Sequence, residues 1–294
     1  MHPEAWASLT LGVVQVVGQD RLDLLQRLAT QDLRPLAEAG RMRHTLFVCG
    51  QGRLQAWAQV LSLADSLLVV TAAATAPALV TWLQRYIIMD DVSCRDVSAE
   101  WAGLQAFGVA PPPPDTWVAA EVGYVWPGLA AFGANVMALR PAAAAALAWD
   151  PARQLSATAL EARRLRAGVP GPTTEYATPI NPFELRLDLA IGWNKGCYIG
   201  QEVLSRLKSY DKVARLLMGV RAATRPTGPA PWRLLLADGQ VAGRLTSWVA
   251  DGEGLVGLAV VKRAAAQAQP VTLVGTDGPQ AAILEERPFW QAGE

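Results

Sequence analysis

The stretch Lys195-Gly196-Cys197-Tyr198-Ile199-Gly200-Gln201-Glu202 sets the reading of the whole chain. Its two glycines open backbone conformations closed to other residues and let a ligand approach the main chain closely. The residues that follow, Gln201 to Lys208, read as a helix. Glu202 lies in its first turn and Lys208 near its end, both favourable to the helix dipole. Cys197 therefore sits beside Lys195 and just ahead of a helix N-terminus, and both features favour a thiolate. It is the expected reactive thiol. Cys49 and Cys94 each fall inside an apolar, strand-like run and read as structural cysteines.

Outward from this stretch, composition narrows the possibilities. The chain has 294 residues, 51% of them apolar and 18% charged, a globular balance with enough length for a large core. Lys plus Arg and Asp plus Glu both total 26, so no broad basic footprint exists and direct nucleic-acid binding is not expected. No apolar run is long enough to span a bilayer. The start, MHPEAWASLT, shows no basic region leading into an apolar one, so no signal peptide and a cytoplasmic location are expected. Three cysteines without a CxxC pair fit a reducing compartment. Two histidines, His2 and His44, leave no multi-histidine metal site and make a Ser-His-Asp machine implausible.

Only four cations are Lys, at 195, 208, 212 and 262, and three of them cluster between 195 and 212. Where Arg is the default, a Lys points to a need for a compact ammonium.

Along the chain, 9–17 reads as a strand and Leu22, Leu25, Leu28 and Leu33 as a helix face. Strands at 43–49, 53–62 and 66–72, a helix over 75–88 and a strand at 92–98 complete an α+β pattern. Pro111–Pro114 reads as a stiff spacer or turn, outside the core. Strands near 116–122 and 135–140 open a second such unit. The helix over 156–168 carries capping-box spacing at Thr158 and Glu161 and a Gly168 stop. The Pro-rich run after it reads as an extended loop. From about 213, short strands broken by Asp238-Gly239 and Asp251-Gly252 turns indicate a small barrel or sandwich. Gly252, Gly254 and Gly257 spell a dinucleotide fingerprint, but strands flank them on both sides, so a hairpin is the expected structure.

KGCYIGQE resembles the signature of the YgfZ-type folate-binding proteins, relatives of the glycine-cleavage T-protein. LLQRLATQD near the start, GRLQAWAQV at 52–60, WLQRYIIMDDVSCRDVS at 82–98 and GRLTSWV at 243–249 follow the family's order. Asn181-Pro182-Phe183-Glu184 is similar to the T-protein's loop before its own Lys segment. Tyr198, Gly200 and Glu202 match positions shared with the T-protein, and Lys195-Gly196-Cys197 marks the YgfZ-type branch. The resemblance implies an α+β fold of two ferredoxin-like halves and a small C-terminal β-barrel, closed as a ring around a central cavity. The expected domains are 1–110, 111–212 with the signature, and 213–294 as the barrel.

The resemblance further implies tetrahydrofolate as ligand and iron–sulfur enzymes as protein clients of a monomer. Cys197 is then the functional thiol. Lys195, Gly196, Tyr198, Gly200, Gln201, Glu202, Glu184 and Arg206 are the expected folate-binding residues, and no metal site is expected. Two departures count against aminomethyl transfer. The T-protein's Gly-Gly-x-x-Asp-Asp stretch corresponds to Gly52-Arg53-Leu54-Gln55-Ala56-Trp57, and its Leu-Glu-Ala-Gly corresponds to Leu165-Arg166-Ala167-Gly168. Ala56-Trp57 carries no carboxylate and Arg166 accepts neither a proton nor a hydrogen bond, so by this resemblance an acid/base group and a pterin anchor are both replaced. A folate-dependent one-carbon transferase with another substrate is the competing reading, with Asp90 and Asp91 as candidate carboxylates. A sensor module reporting Cys197 oxidation is a third. Asp90 and Asp91 are expected to close a helix at a solvated turn.

Overall fold

A computed structural model describes residues 3–120, 123–128, 134–225, 231–275 and 278–286. His2 and the end of the strand expected at 116–122 lie outside them. The chain forms two compact units, the first from Met1–Leu155 with Leu189–Leu204, the second from Ser156–Asp188 with Ser205–Gln291.

The first unit holds two antiparallel sheets. One consists of β2 (Leu11–Val17), β3 (Met42–Val48), β4 (Leu54–Ser62), β5 (Leu67–Ala72) and β6 (Ser93–Asp96), in the order β3-β4-β5-β2-β6. Helices α1 (Arg21–Leu28) and α2 (Ala76–Gln84) belong with it. The other sheet consists of β1 (Ala5–Leu9), β7 (Ala102–Phe107), β8 (Val118–Ala120), β9 (Gly123–Pro127) and β10 (Ala134–Leu139), in the order β1-β7-β10-β9-β8. The short helix α3 (Pro141–Ala146) follows β10. The strand expected over 9–17 is β2, Leu11–Val17, while Leu9 ends β1, which enters the other sheet. β1 and β7 precede residue 110, yet they pair within the sheet completed by β8–β10.

Alternation explains the layers. Val14 and Val16 of β2, with Leu67 and Val69 of β5, face Leu24, Leu25 and Leu28 of α1 and Leu79 and Leu83 of α2. Their neighbours Val13, Leu68 and Val70 point the other way and meet Trp126, Val136 and Ala138 from the second sheet. Both faces of the central strands are covered, so β2 and β5 read as nearly continuous apolar runs instead of alternating ones.

The second unit is a closed six-stranded barrel, with α4 (Ala157–Ala167) packed on it. Its strands are β11 (Arg215–Ala222), β12 (Arg233–Leu235), β13 (Val241–Asp251), β14 (Gly254–Lys262), β15 (Val271–Gly275) and β16 (Gly278–Glu285). The glycine triplet 252–257 lies in the antiparallel β13–β14 hairpin, as the flanking strands required.

Two local expectations need correction. The N-cap of α4 is Ser156, whose side chain accepts from Ala159 N, while Glu161 turns away to Arg164 at 2.6 Å. A capping box does form, but at Asn181 and Glu184, where the Pro-rich loop tightens into a 3-10 turn over Pro182–Leu185. Gly168 ends α4 in the left-handed region, at φ 74°. Among the described residues, no helix is long and apolar enough to cross a membrane.

Candidate functional site

The signature loop is stitched to the end of α1. That helix stops at Ala29, whose backbone is extended. Thr30 N would continue the helical ladder to Gln26 O, but it donates to Leu46 O of β3 instead. The last carbonyls of α1 are therefore left without helical donors. Lys195 serves one of them and two carbonyls just past the helix. Its Nζ donates to Gln26 O at 2.7 Å, Ala29 O at 2.6 Å and Gln31 O at 3.0 Å. An ammonium offers three donors on one small atom, and its charge suits the negative end of the helix dipole.

Lys195 is only 8% exposed. Burial pulls its pKa down to about 8; Asp32 opposes the fall and Arg34 adds to it. At pH 7 the ammonium keeps its charge. Asp32 itself is held near 2, chiefly by its hydrogen bond from the Arg34 side chain.

The neighbouring bonds repeat the pattern. Thr30 Oγ1 donates to Ala190 O at 2.7 Å and accepts from Leu46 N, and Gly192 N donates to Thr30 O. Ile199 N donates to Arg27 O at 3.2 Å. A second anchor is the tight turn over Cys49–Gly52. Gly200 has φ +81°, and a Cβ there would lie 2.6 Å from Cys49 O, so both conformation and contact demand glycine. Gly52 abuts Val203 in the same way. Three stretches far apart in sequence, LATQD, CGQGR and NKGCYIGQE, thus form one structural unit. α5 (Gln201–Ser209) starts directly from it, and Gln201 Oε1 accepts from Tyr198 N at 3.3 Å.

What this leaves for chemistry lies at 196–198. Gly196 has open space around its would-be Cβ, and Cys197 is exposed. Tyr198 is 7% exposed, and its hydroxyl has no hydrogen-bond partner among the described residues. Burial pushes that phenol up to about 12, so it stays protonated and able to donate. The Lys195 ammonium lies 5.1 Å from the Tyr198 ring centroid.

The other expected site residues each have their own surroundings. Glu202 is exposed on α5. Glu184 and Arg206 belong to the second unit. Glu184 is buried, with Oε1 accepting from Arg215 Nε at 2.8 Å and Oε2 from Asn181 N and Arg215 Nη2. Arg206 is exposed on α5. Cys94 is buried, and burial raises its thiol to about 11. Cys49 is half-buried and starts the turn after β3, outside the strand in which it was expected.

Of the departures, Ala56 is fully buried in the core and Arg166 forms an ion pair with Asp251 at 3.0 Å. Asp90 pairs with Arg27, and Asp91 Oδ2 accepts from Gln19 N at 3.0 Å, so both act at the base of the turn after α2. Among the described residues, no group of three or more His, Cys, Asp or Glu is placed to hold a metal.

A buried polar knot in the second unit had no sequence signal. Glu175 is fully buried, and Oε2 accepts from Arg164 Nη1, Gly171 N and Thr174 Oγ1. Its Oε1 accepts from Thr246 Oγ1 and Ser247 Oγ, both at 2.6 Å. An irregularity in the β13–β14 register between Leu245 and Ser247 places these two adjacent hydroxyls there. Burial alone would raise the carboxyl, but Arg164 and the hydroxyls outweigh it and hold its pKa below the usual value.

The fold is GcvT-like. Residues 8–110 match the family model of the GCVT N-terminal domain. The crystal structure of glycine cleavage system aminomethyltransferase T from Bartonella henselae shares the fold with a TM-score of 0.80 and 17% identity, over 98% of this chain and 86% of that one. An Arabidopsis thaliana protein named "Putative transferase, chloroplastic" is 26% identical, over 95% of this chain and 69% of its own length.

Proposed function

We propose that the chain is a folate-binding accessory protein of the YgfZ-type branch that supports assembly or repair of iron–sulfur enzymes, acting as a cytoplasmic monomer. The observation that carries this reading is the contrast between two positions in the first unit. Cys197 stands exposed beside the open Gly196 corner, whereas the core residue Ala56 stands where aminomethyl transfer calls for a carboxylate.

The loop fits a reduced folate through one group above all. The buried, unpartnered Tyr198 hydroxyl is a donor that a planar heterocycle with ring acceptors would satisfy. Gly196 leaves room for close approach. Bound tetrahydrofolate supplies a carrier for one-carbon units. Lys195 does not reach the ligand in this reading; it fixes the loop on α1 so that Tyr198 and Cys197 keep their places. Cys197 then faces the protein client.

Calorimetry with tetrahydrofolate tests the first half, with heat of binding expected at millimolar concentration. No heat from folded protein refutes it. Iron–sulfur enzyme activity in cells lacking the protein tests the second half, and Cys197→Ser is expected to fail in rescue. The relative's name favours a second reading, a folate-dependent transferase. Lacking the carboxylate, the chain is expected to run reconstituted glycine cleavage about 10²–10⁴ times more slowly than an authentic T-protein. Activity within about tenfold of that enzyme would favour the second reading.

A further inference from the structure

A cavity of about 140 Å³ opens beside β1, the end strand of its sheet, where Gln154 bridges Trp6; it is lined by Pro3, Trp6, Trp149, Asp150 and Arg153. Its walls are fixed. Trp149 is 9% exposed and meets Trp6 edge-on, with centroids 5.7 Å apart, and Trp6 Nε1 donates to Asp150 O at 3.0 Å. Arg153 Nη1 donates to Pro3 O at 3.1 Å. Leu155 N donates to Trp6 O, which holds the connection into α4 against the strand.

The rim carries one charge of each sign, and each has capacity left over. Asp150 Oδ1 accepts from Ala152 N, while Oδ2 lies 3.6 Å from Arg153 Nε, too far for a hydrogen bond. Among the described residues, Arg153 Nη2 has no hydrogen-bond partner. A dry cavity of about 150 Å³ accommodates a benzene ring, so this one takes a single ring or a branched aliphatic group.

We propose that this pocket binds a free α-amino acid with an apolar side chain. The side chain packs against the two indoles, the carboxylate reaches Arg153 and the ammonium reaches Asp150. A simple anion would leave the Asp150 carboxylate repelling it, and a simple cation would meet the same difficulty at Arg153. A zwitterion answers both.

Ligand-detected NMR and calorimetry on the full chain test this with L-phenylalanine and L-leucine. Phenethylamine and 3-phenylpropionate, each with one charge removed, serve as controls. Millimolar binding of the amino acids is expected, with both controls weaker by about tenfold, the loss of one charge-assisted hydrogen bond. Arg153→Gln is expected to weaken the amino acids by a similar factor with only a small fall in melting temperature, because the Arg153 side chain is 50% exposed and gives up a single hydrogen bond, to Pro3 O. No binding of either amino acid overturns the proposal. So does equal binding of a singly charged control, or affinity unchanged by Arg153→Gln.

Discussion

Replacing Lys195 by Met keeps the stem and removes the ammonium. Three carbonyls in and just beyond the last turn of α1 then lose their donors in a position closed to most solvent, since the residue is 8% exposed. A hydrogen bond to a charged group contributes about 1.5–3 kcal/mol net, and returning the ammonium to water offsets part of that sum. The balance is a loss of about 3 kcal/mol, within the range seen when one partner of a buried charged contact is removed. For a unit of this size, that lowers the melting temperature by about 6–12 °C. Thermal unfolding followed by circular dichroism measures it. Lys195→Arg separates charge from geometry, because a planar guanidinium cannot converge three N–H groups on carbonyls grouped around one atom. Arg is therefore expected to recover less than half of the loss. Hydrogen exchange adds a local readout: the amides of Gly192 and Ile199, which bond to Thr30 O and Arg27 O, should lose protection in Lys195→Met. A melting temperature within about 1 °C of the parent, with those amides still protected, would refute the capping role.

Other outcomes follow from groups elsewhere. Burial lowers His44 from 6.5 to about 4, so the unfolded chain binds the proton more readily between those values. Stability is full above pH 6.5 and falls as the pH drops toward 4, by about 2–3 kcal/mol, and urea titrations of His44→Gln should show a shallower fall. Glu175→Gln puts an amide among five donors and leaves Arg164 without its buried partner, at a cost of about 3 kcal/mol by chemical denaturation; a cost below about 0.5 would mean water already enters the knot. Limiting iodoacetamide at neutral pH, followed by peptide mapping, should label exposed Cys197 well before Cys94, whose thiol is buried and held near 11. Faster labelling of Cys94 would contradict the packing of β6 against β2.

Much of the fold was readable because it rests on side-chain patterns. Leu22, Leu25 and Leu28 mark one face of α1, and the Asp238-Gly239 and Asp251-Gly252 pairs mark two barrel hairpins. The strand β1 over Ala5–Leu9 was not readable apart from the run at 9–17, because a change of sheet at Thr10 leaves the apolar pattern almost unbroken. The cap of α4 was misplaced for a related reason. Thr158 and Glu161 have the right spacing, but Ser156 has it too with respect to Ala159 N, and Glu161 is drawn off by Arg164. Spacing names the residues able to cap; competition between partners decides which one does.

The site divides along the same line. Gly200 and Gly52 could be read as sites of close approach because a missing side chain is itself a sequence feature. The scarcity of Lys flagged position 195 correctly as one that wants a compact ammonium. The ammonium's partners, however, are the carbonyls of Gln26, Ala29 and Gln31, and a carbonyl is the same in every residue. No side chain between 26 and 31 announces that the carbonyls there await a donor from beyond residue 190. The deciding bond is Thr30 N to Leu46 O, a backbone pairing that diverts the helix from its own ladder. A lysine whose chemistry reads as ligand-binding from sequence can thus be wholly occupied by main chain. Near it, the buried Tyr198 hydroxyl keeps no hydrogen-bond partner among the described residues.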